Sequence, residues 1–291
     1  MTIKALARRG LTTAGAFLLA ALIAVLPIVA SGRAFAAGGA DRTNVIAAGD
    51  GVLYSVQSDG DLAWYKHSGA ANGAVTWAAG SGAVVSHGWD QFSQIVSGGN
   101  GVLYAISPNG DLHWYDHTGF ANGAVTWAAN SGVVVGHGWN VFTQVVSGGS
   151  GVLYAVSPNG DLHWYSHTGF ANGAVTWTSN SGVVVSHGWD NFMSVIAGGD
   201  GILYGVNPNG DLQWYDHTGF ANGAVTWTAN SSAVVSHGWD QFVQVVDGGS
   251  GVLYAVSPNG DLHWYSHTGY ANGAVTWASN SSAVVSHGWL A

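Results

Sequence analysis

The sequence lacks cysteine and glutamate altogether, and it has few charged residues of any kind. Only 7% of the 291 residues are charged, against about 25% in a typical domain. The absence of cysteine excludes disulfides, thiolate catalysis and zinc or haem sites that depend on cysteine. Residues 37–291 contain two basic and fifteen acidic residues, a net charge of −13. Because such a chain cannot neutralise phosphates, we expect neither nucleic acid nor a membrane as a partner.

Glycine and aromatic residues are abundant instead. The chain contains 45 Gly and 15 Trp, and 12% of its residues are aromatic. An aromatic content this high excludes intrinsic disorder. The glycines do not follow a three-residue period, which excludes collagen and indicates many tight turns.

The first 36 residues have the layout of a secretory signal peptide. Lys4, Arg8 and Arg9 precede an apolar run at 16–26, and an A-x-A cleavage pattern follows at 34–36. A membrane-spanning helix would need about 20 apolar residues. The sequence therefore predicts a secreted protein that begins near Ala37, with the choice between general and twin-arginine export left open.

The remainder of the chain is one unit repeated five times. The motif GVLY or GILY begins at Gly51 and recurs every 50 residues, and 38 of 50 positions are identical between 101–150 and 151–200. Self-similarity at this period indicates a solenoid or a propeller.

Each repeat reads as short strands joined by turns. In the second repeat we predict strands at 102–107 and 112–117 on either side of an Asn-Gly turn, then a long loop at 118–124. A short strand at 125–128 follows, with 133–135 as an extension of that outer edge, and the next repeat begins at 142–146. Four short antiparallel strands in about 50 residues are typical of a propeller blade. The predicted fold is therefore an all-β, five-bladed β-propeller of four-stranded antiparallel blades at 37–291.

The two ends of the array predict how the ring closes. The last repeat stops at Ala291 before the strand that begins the next unit, and 42–50 aligns with 92–100. We therefore expect the N-terminal strand to close the ring by completing the last blade, which removes unpaired edges.

Three tryptophans recur in every repeat. The strand tryptophans favour a role in packing between blades, and they are Trp64, Trp114, Trp164, Trp214 and Trp264. The loop tryptophans follow the motif NGAVTW and suit core packing or ligand stacking equally well; they are Trp77, Trp127, Trp177, Trp227 and Trp277. The connection tryptophans lie between blades, where packing is somewhat favoured; they are Trp89, Trp139, Trp189, Trp239 and Trp289.

The long loop adds an amide and an aromatic ring. The loop asparagines precede glycine, as in an ordinary Asn-Gly turn, and are Asn72, Asn122, Asn172, Asn222 and Asn272. The loop aromatics are Phe120, Phe170, Phe220 and Tyr270, and Ala70 takes their place in the first repeat. A flat apolar ring beside amide groups can hold a sugar by stacking and hydrogen bonding. The first loop also has Gly80 where the others have asparagine, so we expect a site that uses this loop to be the weakest.

Metal binding and catalysis are the alternatives. Two histidines per repeat, such as His67 and His87, together with an aspartate such as Asp90 could bind a metal. However, the carboxylate is replaced in two copies, and such clusters more often satisfy turns. Glycoside hydrolysis requires two carboxylates in different environments, whereas Asp61 and its equivalents lie in hairpin turns. We therefore expect no metal, no cofactor and no catalytic residues.

The unit GVLYAV…GDLxWY…W…VxxHGWDxF resembles the tachylectin-type repeat over residues 42–291. The resemblance implies a five-bladed lectin that binds N-acetylated sugars such as N-acetylglucosamine and N-acetylgalactosamine. It implies sites between adjacent blades, formed by the long loop and by the segment that arrives from the preceding blade. On this basis the loop and connection tryptophans, the loop asparagines and the loop aromatics are the candidate sugar-binding residues. The family's Asp-Asn pair before the loop tryptophan is replaced here by Val75-Thr76 and its copies.

The sequence thus predicts a secreted, monomeric lectin with up to five equivalent sites for cell-surface or polymer glycans. A protein-binding scaffold propeller and a metal-dependent hydrolase are the alternatives. The affinity for a single sugar should be weak, and avidity should strengthen binding to a dense glycan.

Overall fold

The computed structural model describes residues 44–290, which form five four-stranded antiparallel sheets arranged in a ring. The predicted signal peptide at 1–36 lies outside the described residues. The strands of blade 1 are β1 (Asn44–Ala47), β2 (Val52–Val56), β3 (Leu62–Lys66) and β4 (Ala83–Ser86). Those of blade 2 are β5 (Gln94–Gly99), β6 (Val102–Ile106), β7 (Leu112–Asp116) and β8 (Val133–Gly136). Those of blade 3 are β9 (Gln144–Gly149), β10 (Val152–Val156), β11 (Leu162–Ser166) and β12 (Val183–Ser186).

Blades 4 and 5 repeat this pattern. The strands of blade 4 are β13 (Ser194–Gly199), β14 (Ile202–Val206), β15 (Leu212–Asp216) and β16 (Ala233–Ser236). Those of blade 5 are β17 (Gln244–Gly249), β18 (Val252–Val256), β19 (Leu262–Ser266) and β20 (Ala283–Ser286). The prediction of an all-β, five-bladed propeller of four-stranded blades is confirmed.

The outer strand of each blade lies later in the sequence than predicted. In blade 2 it is β8, whereas 125–128 contains no strand, and Val125 is 68% exposed. The predicted short strand at 125–128 is therefore wrong. These residues form a loop in which the Ala128 N–H still donates to the Asp116 carbonyl oxygen of β7 at 2.8 Å, while the Trp127 side chain bonds to the preceding blade.

The prediction that the N-terminal strand completes the last blade is also wrong. Strand β1 pairs with β2, with Asn44 opposite Val56 and Ala47 opposite Leu53, so every blade is contiguous in sequence. Gly51 lies between β1 and β2, in the middle of a blade, so a repeat counted from this residue leaves the last unit incomplete. The ring nevertheless closes at β1, because Val45 packs in the core of blade 5 and its N–H donates to Gln244 Oε1 at 3.0 Å.

The blades pack face to face, which explains the burial of their strands. In β2, β6, β10 and β14 all five residues are buried, because neighbouring blades cover both sheet faces. The third strands alternate: Trp114 is fully buried, while Tyr115 beside it is only half-buried. Short 3-10 helices such as Trp89–Gln91 link successive blades. No helix among residues 44–290 has the length and apolar character needed to cross a membrane.

Candidate functional site

The long loop of each blade lies against the strand tryptophan of the preceding blade. Trp64 Nε1 in blade 1 donates to the Phe120 carbonyl oxygen of blade 2 at 2.8 Å. Gly123 lies flat on the same indole, and a Cβ on this residue would approach a ring carbon to 2.5 Å. The strand tryptophans are 0–1% exposed at all five interfaces, so their predicted role in packing between blades is confirmed.

The loop tryptophans bridge adjacent blades. Trp127 Nε1 donates to the Val85 carbonyl oxygen in β4 of the preceding blade at 2.9 Å, and the four equivalents do the same at 2.7–2.9 Å. The Trp127 ring stacks on His117 with the ring centroids 4.6 Å apart. The indole remains half-exposed, so it can pack between the blades and also contact a ligand.

The connection tryptophans meet the loop tryptophans between the blades. Trp89 is 4.8 Å from Tyr115 and 5.8 Å from Trp127, measured between ring centroids. All five connection tryptophans are only 2–4% exposed. The structure therefore brings the two predicted sets together in one aromatic cleft, with the connection tryptophan in its wall.

The loop asparagines are exposed in the long loops. Asn122 Oδ1 accepts a hydrogen bond from Ala124 N–H at 3.1 Å, which is the turn interaction expected of an Asn-Gly sequence. The same bond forms in the other four loops at 3.0–3.1 Å. Within residues 44–290 the side-chain NH₂ groups of the loop asparagines have no protein partner, so they are available as donors.

Three of the loop aromatics lie in the packing between blades. Phe120, Phe170 and Phe220 are half-buried against the hydrophobic core of the preceding blade. Tyr270 occupies the same loop position, and its carbonyl oxygen accepts a hydrogen bond from Trp214 Nε1 at 2.7 Å. A packing role for these residues, which the sequence left open, is thus part of the structure.

The first loop differs from the other four at Ala70 and Gly80, and these two positions lie at different interfaces. The Ala70 carbonyl accepts from Trp264 Nε1, so position 70 faces blade 5. Position 80 faces the other way, since its equivalent Asn130 donates to the Asn172 carbonyl oxygen of the following blade. The two changes therefore affect two different interfaces, and the expectation that a site using the first loop is the weakest stays a prediction.

The two histidines of each repeat do not come together. His117 is buried: its Nε2–H donates to the Ala124 carbonyl oxygen at 2.8 Å, and its Nδ1 accepts from the Tyr54 hydroxyl at 2.7 Å. Burial lowers the pKa of His117 and keeps the imidazole neutral. The side chain of His87, by contrast, is 78% exposed and pairs with Asp61. Within residues 44–290 no three His, Cys, Asp or Glu side chains are placed to hold a metal ion.

Two features of the cleft were not predicted. The tyrosine after each strand tryptophan lines the cleft, as Tyr115 does beside Trp89 and Trp127. Strand alternation could have identified it, because neighbours of a buried tryptophan point to the other side. The valine two residues before each loop tryptophan is exposed by 62–68%, and its recurrence in all five loops was the available signal; these valines are Val75, Val125, Val175, Val225 and Val275.

Five four-stranded blades that close into a ring, with an aromatic cleft between each pair, define a five-bladed β-propeller. The chain belongs to the tachylectin family, since the family model described as Tachylectin matches residues 28–121 and 114–291. Lectins of this kind bind carbohydrate. No curated protein matches the sequence.

Solved structures are similar in fold. The structure described as "The de novo evolutionary emergence of a symmetrical protein is shaped by folding constraints" is 20% identical, covers 82% of this chain and 94% of its own, and has a TM-score of 0.51. SapL1 lectin in complex with alpha methyl fucoside is 14% identical, with coverages of 84% and 81% and a TM-score of 0.39. Aleuria aurantia lectin in complex with alpha-methyl-L-fucoside is 18% identical, with coverages of 82% and 76% and a TM-score of 0.38.

Proposed function

We propose that the protein is a secreted, multivalent lectin that binds N-acetylated sugars, such as N-acetylglucosamine and N-acetylgalactosamine, in the clefts between its blades. The observation that carries this proposal is the five-fold repetition of one cleft in a tachylectin-family chain. Each cleft combines a half-exposed loop tryptophan with a buried connection tryptophan 5.7–6.0 Å away.

The chemistry of the cleft suits an acetamido sugar. An indole can stack on the C–H face of a pyranose ring, and the free amide of the loop asparagine can donate to a hydroxyl or to the acetamido carbonyl. The exposed valine two residues before the loop tryptophan can supply an apolar contact for the acetyl methyl group. Because few groups contact the ligand and none is charged, each site should bind weakly, and affinity for a dense glycan should come from avidity.

The residues favour binding without catalysis. Glycoside hydrolysis requires two carboxylates that flank the scissile bond. The repeated aspartates instead lie at the hairpin turns, where Asp111 and its equivalents pair with surface histidines at 2.5–2.6 Å. Secretion is proposed from the N-terminal segment alone.

A glycan array and titration calorimetry on the secreted protein test this function. We expect signals on glycans that carry terminal N-acetylated sugars, and up to five weak sites for the monosaccharide. A folded protein that is silent on the array would exclude the lectin function and favour a scaffold propeller. Loss of binding with a chelator, restored by a divalent cation, would revive a metal-dependent mechanism.

The loop tryptophan can be tested at a single cleft. Trp177→Ala should remove one site of the five from the titration, because the stacking surface is lost. The matched variant Trp177→Phe keeps a ring but loses the hydrogen bond to the Val135 carbonyl oxygen, so it should retain the site. Equal loss in both variants would mean that Trp177 acts through blade packing and not through stacking.

A further inference from the structure

The five interfaces share three hydrogen bonds. At each one the strand tryptophan donates to the carbonyl of the next long loop at 2.7–2.8 Å. The loop tryptophan donates back to the outer strand of the preceding blade. A buried tyrosine also meets the buried histidine of the next blade at 2.7–2.9 Å.

An additional hydrogen bond links the long loops of neighbouring blades at four of the five interfaces. Asn130 Nδ2 in blade 2 donates to the Asn172 carbonyl oxygen in blade 3 at 2.8 Å. Equivalent bonds of 2.7–2.8 Å join blades 3 and 4, 4 and 5, and 5 and 1. The interface between blades 1 and 2 has Gly80 at this position, so no side chain can form the bond.

A second additional bond joins the innermost strands at three interfaces. Gln144 Oε1 accepts from the Val195 N–H of the next blade at 2.8 Å, and Gln94 and Gln244 form the same bridge. The equivalent residue is Ser194 between blades 4 and 5 and Asn44 between blades 1 and 2. Within residues 44–290 neither Ser194 nor Asn44 bridges to the following blade.

The two additional hydrogen bonds are unevenly distributed around the ring. Blades 5 and 1 are joined by no peptide link between their strands, and their interface has both additional bonds. Blades 1 and 2 are joined by the chain at 87–93, and their interface has neither. We propose that the interface between blades 1 and 2 is the joint at which the ring opens first, by a local separation that leaves the individual blades folded.

Opening at this joint would have a defined consequence. It would separate Trp89 on blade 1 from Trp127 on blade 2 and break the bond from Trp127 to the Val85 carbonyl. The cleft between blades 1 and 2 would thus be dismantled while the other four remain intact.

Thiol labelling of the native protein tests the proposal, because the chain has no cysteine of its own. Ala105 of blade 2 is fully buried in the core of blade 1, and Ala155 of blade 3 is buried in the same way in the core of blade 2. Ala105→Cys and Ala155→Cys therefore report opening of two neighbouring interfaces at matched positions. With two hydrogen bonds fewer at its interface, the Ala105→Cys protein should react with a disulfide reagent about 5- to 100-fold faster than the Ala155→Cys protein.

A second pair of substitutions should make the interface between blades 2 and 3 as weak as the interface between blades 1 and 2. Adding Gln94→Asn and Asn130→Gly to the Ala155→Cys protein removes both additional bonds between blades 2 and 3, and labelling there should rise to the Ala105→Cys rate. Equal rates in the two starting proteins, or no effect of the added changes, would overturn the proposal. If a cysteine variant does not fold, hydrogen exchange of the Trp64 and Trp114 indole N–H groups in the unaltered protein gives the same comparison, because these groups donate across the two interfaces. Faster exchange is expected at Trp64.

Discussion

Asp247 is an acidic side chain at a position where the equivalent residues are Ala or Ser. Ser97 and Ser147 each accept a hydrogen bond from the backbone N–H two residues later, and Asp247 Oδ2 accepts the corresponding bond from Gly249 at 3.0 Å. The second carboxylate oxygen, Oδ1, is buried and has no partner. Burial raises the pKa of Asp247 to about 8, because the ionised form loses its hydration.

We expect Asp247→Ser to stabilise the protein in a pH-dependent way. The unfolded carboxyl releases its proton near pH 4, whereas the folded one holds it to about pH 8. The penalty is therefore absent below pH 4, grows between pH 4 and 8, and is constant above pH 8. The variant should gain up to about 1.4 kcal/mol for each pH unit between 4 and 8 and nothing at pH 4, measured by urea unfolding. Asp240→Ser, at an exposed position, is the control, and an equal gain there would contradict the prediction.

At the scale of elements, the long loop holds its neighbour through a close backbone contact. Gly173 has φ +70, and a Cβ on it would lie 2.6 Å from a ring carbon of Trp114 in the preceding blade. Gly199 has a similar φ of +77 but no atom within 4 Å of its added Cβ. Both glycines therefore need a left-handed backbone conformation, but only Gly173 also lies in close contact with another side chain.

The two glycines form a matched pair for mutation. Gly199→Ala should cost about 1–2 kcal/mol, which is the penalty of a left-handed conformation alone. Gly173→Ala should cost about 2–5 kcal/mol, because the methyl group also displaces the Trp114 indole. Thermal unfolding of both variants measures the difference, and equal losses would show that the loop adapts without disturbing the indole.

At the scale of the whole molecule, a buried tyrosine–histidine pair joins every blade to the next. Each imidazole donates from Nε2 to a backbone carbonyl, and in its neutral form it accepts the tyrosine hydroxyl at Nδ1. Burial lowers the pKa of all five histidines, which are His67, His117, His167, His217 and His267. Asp116 and Asp216 lie beside two of them and partly oppose this shift.

We therefore expect steep, cooperative acid unfolding. The unfolded histidines take up protons near pH 6.5 while the folded ones do not, so stability is retained above pH 6.5 and is lost as the pH falls below it. Each histidine contributes a slope of up to about 1.4 kcal/mol per pH unit. His167→Gln should lower the slope of unfolding free energy against pH by up to one proton, and His163→Gln, which copies Gln213 of blade 4 and keeps all five buried histidines, is the matched control. A slope that is the same in both variants would mean that the buried histidines do not set the acid limit.

The sequence by itself determined the repeat, the number of blades and most of the strands. The 50-residue period, the Asn-Gly turns and the alternation around Trp114 are local patterns, and the structure confirms what they predict. The candidate sugar-binding residues were also identifiable from their repetition, and the loop and connection tryptophans do meet in one cleft.

Only the tertiary structure decided where a blade begins and which residues face each other across the interfaces. A periodic sequence looks the same from any starting point, so periodicity could not show that β1 pairs with β2 rather than with the last blade. The bonds from Trp127 to Val85 and from Gln244 to Val45 join residues 42 and 199 positions apart. The position of such residues relative to each other depends on the angle between blades, which is set by packing around the closed ring and not by any local pattern. For the same reason only the structure separated Ala70 from Gly80, placing one toward blade 5 and the other toward blade 2.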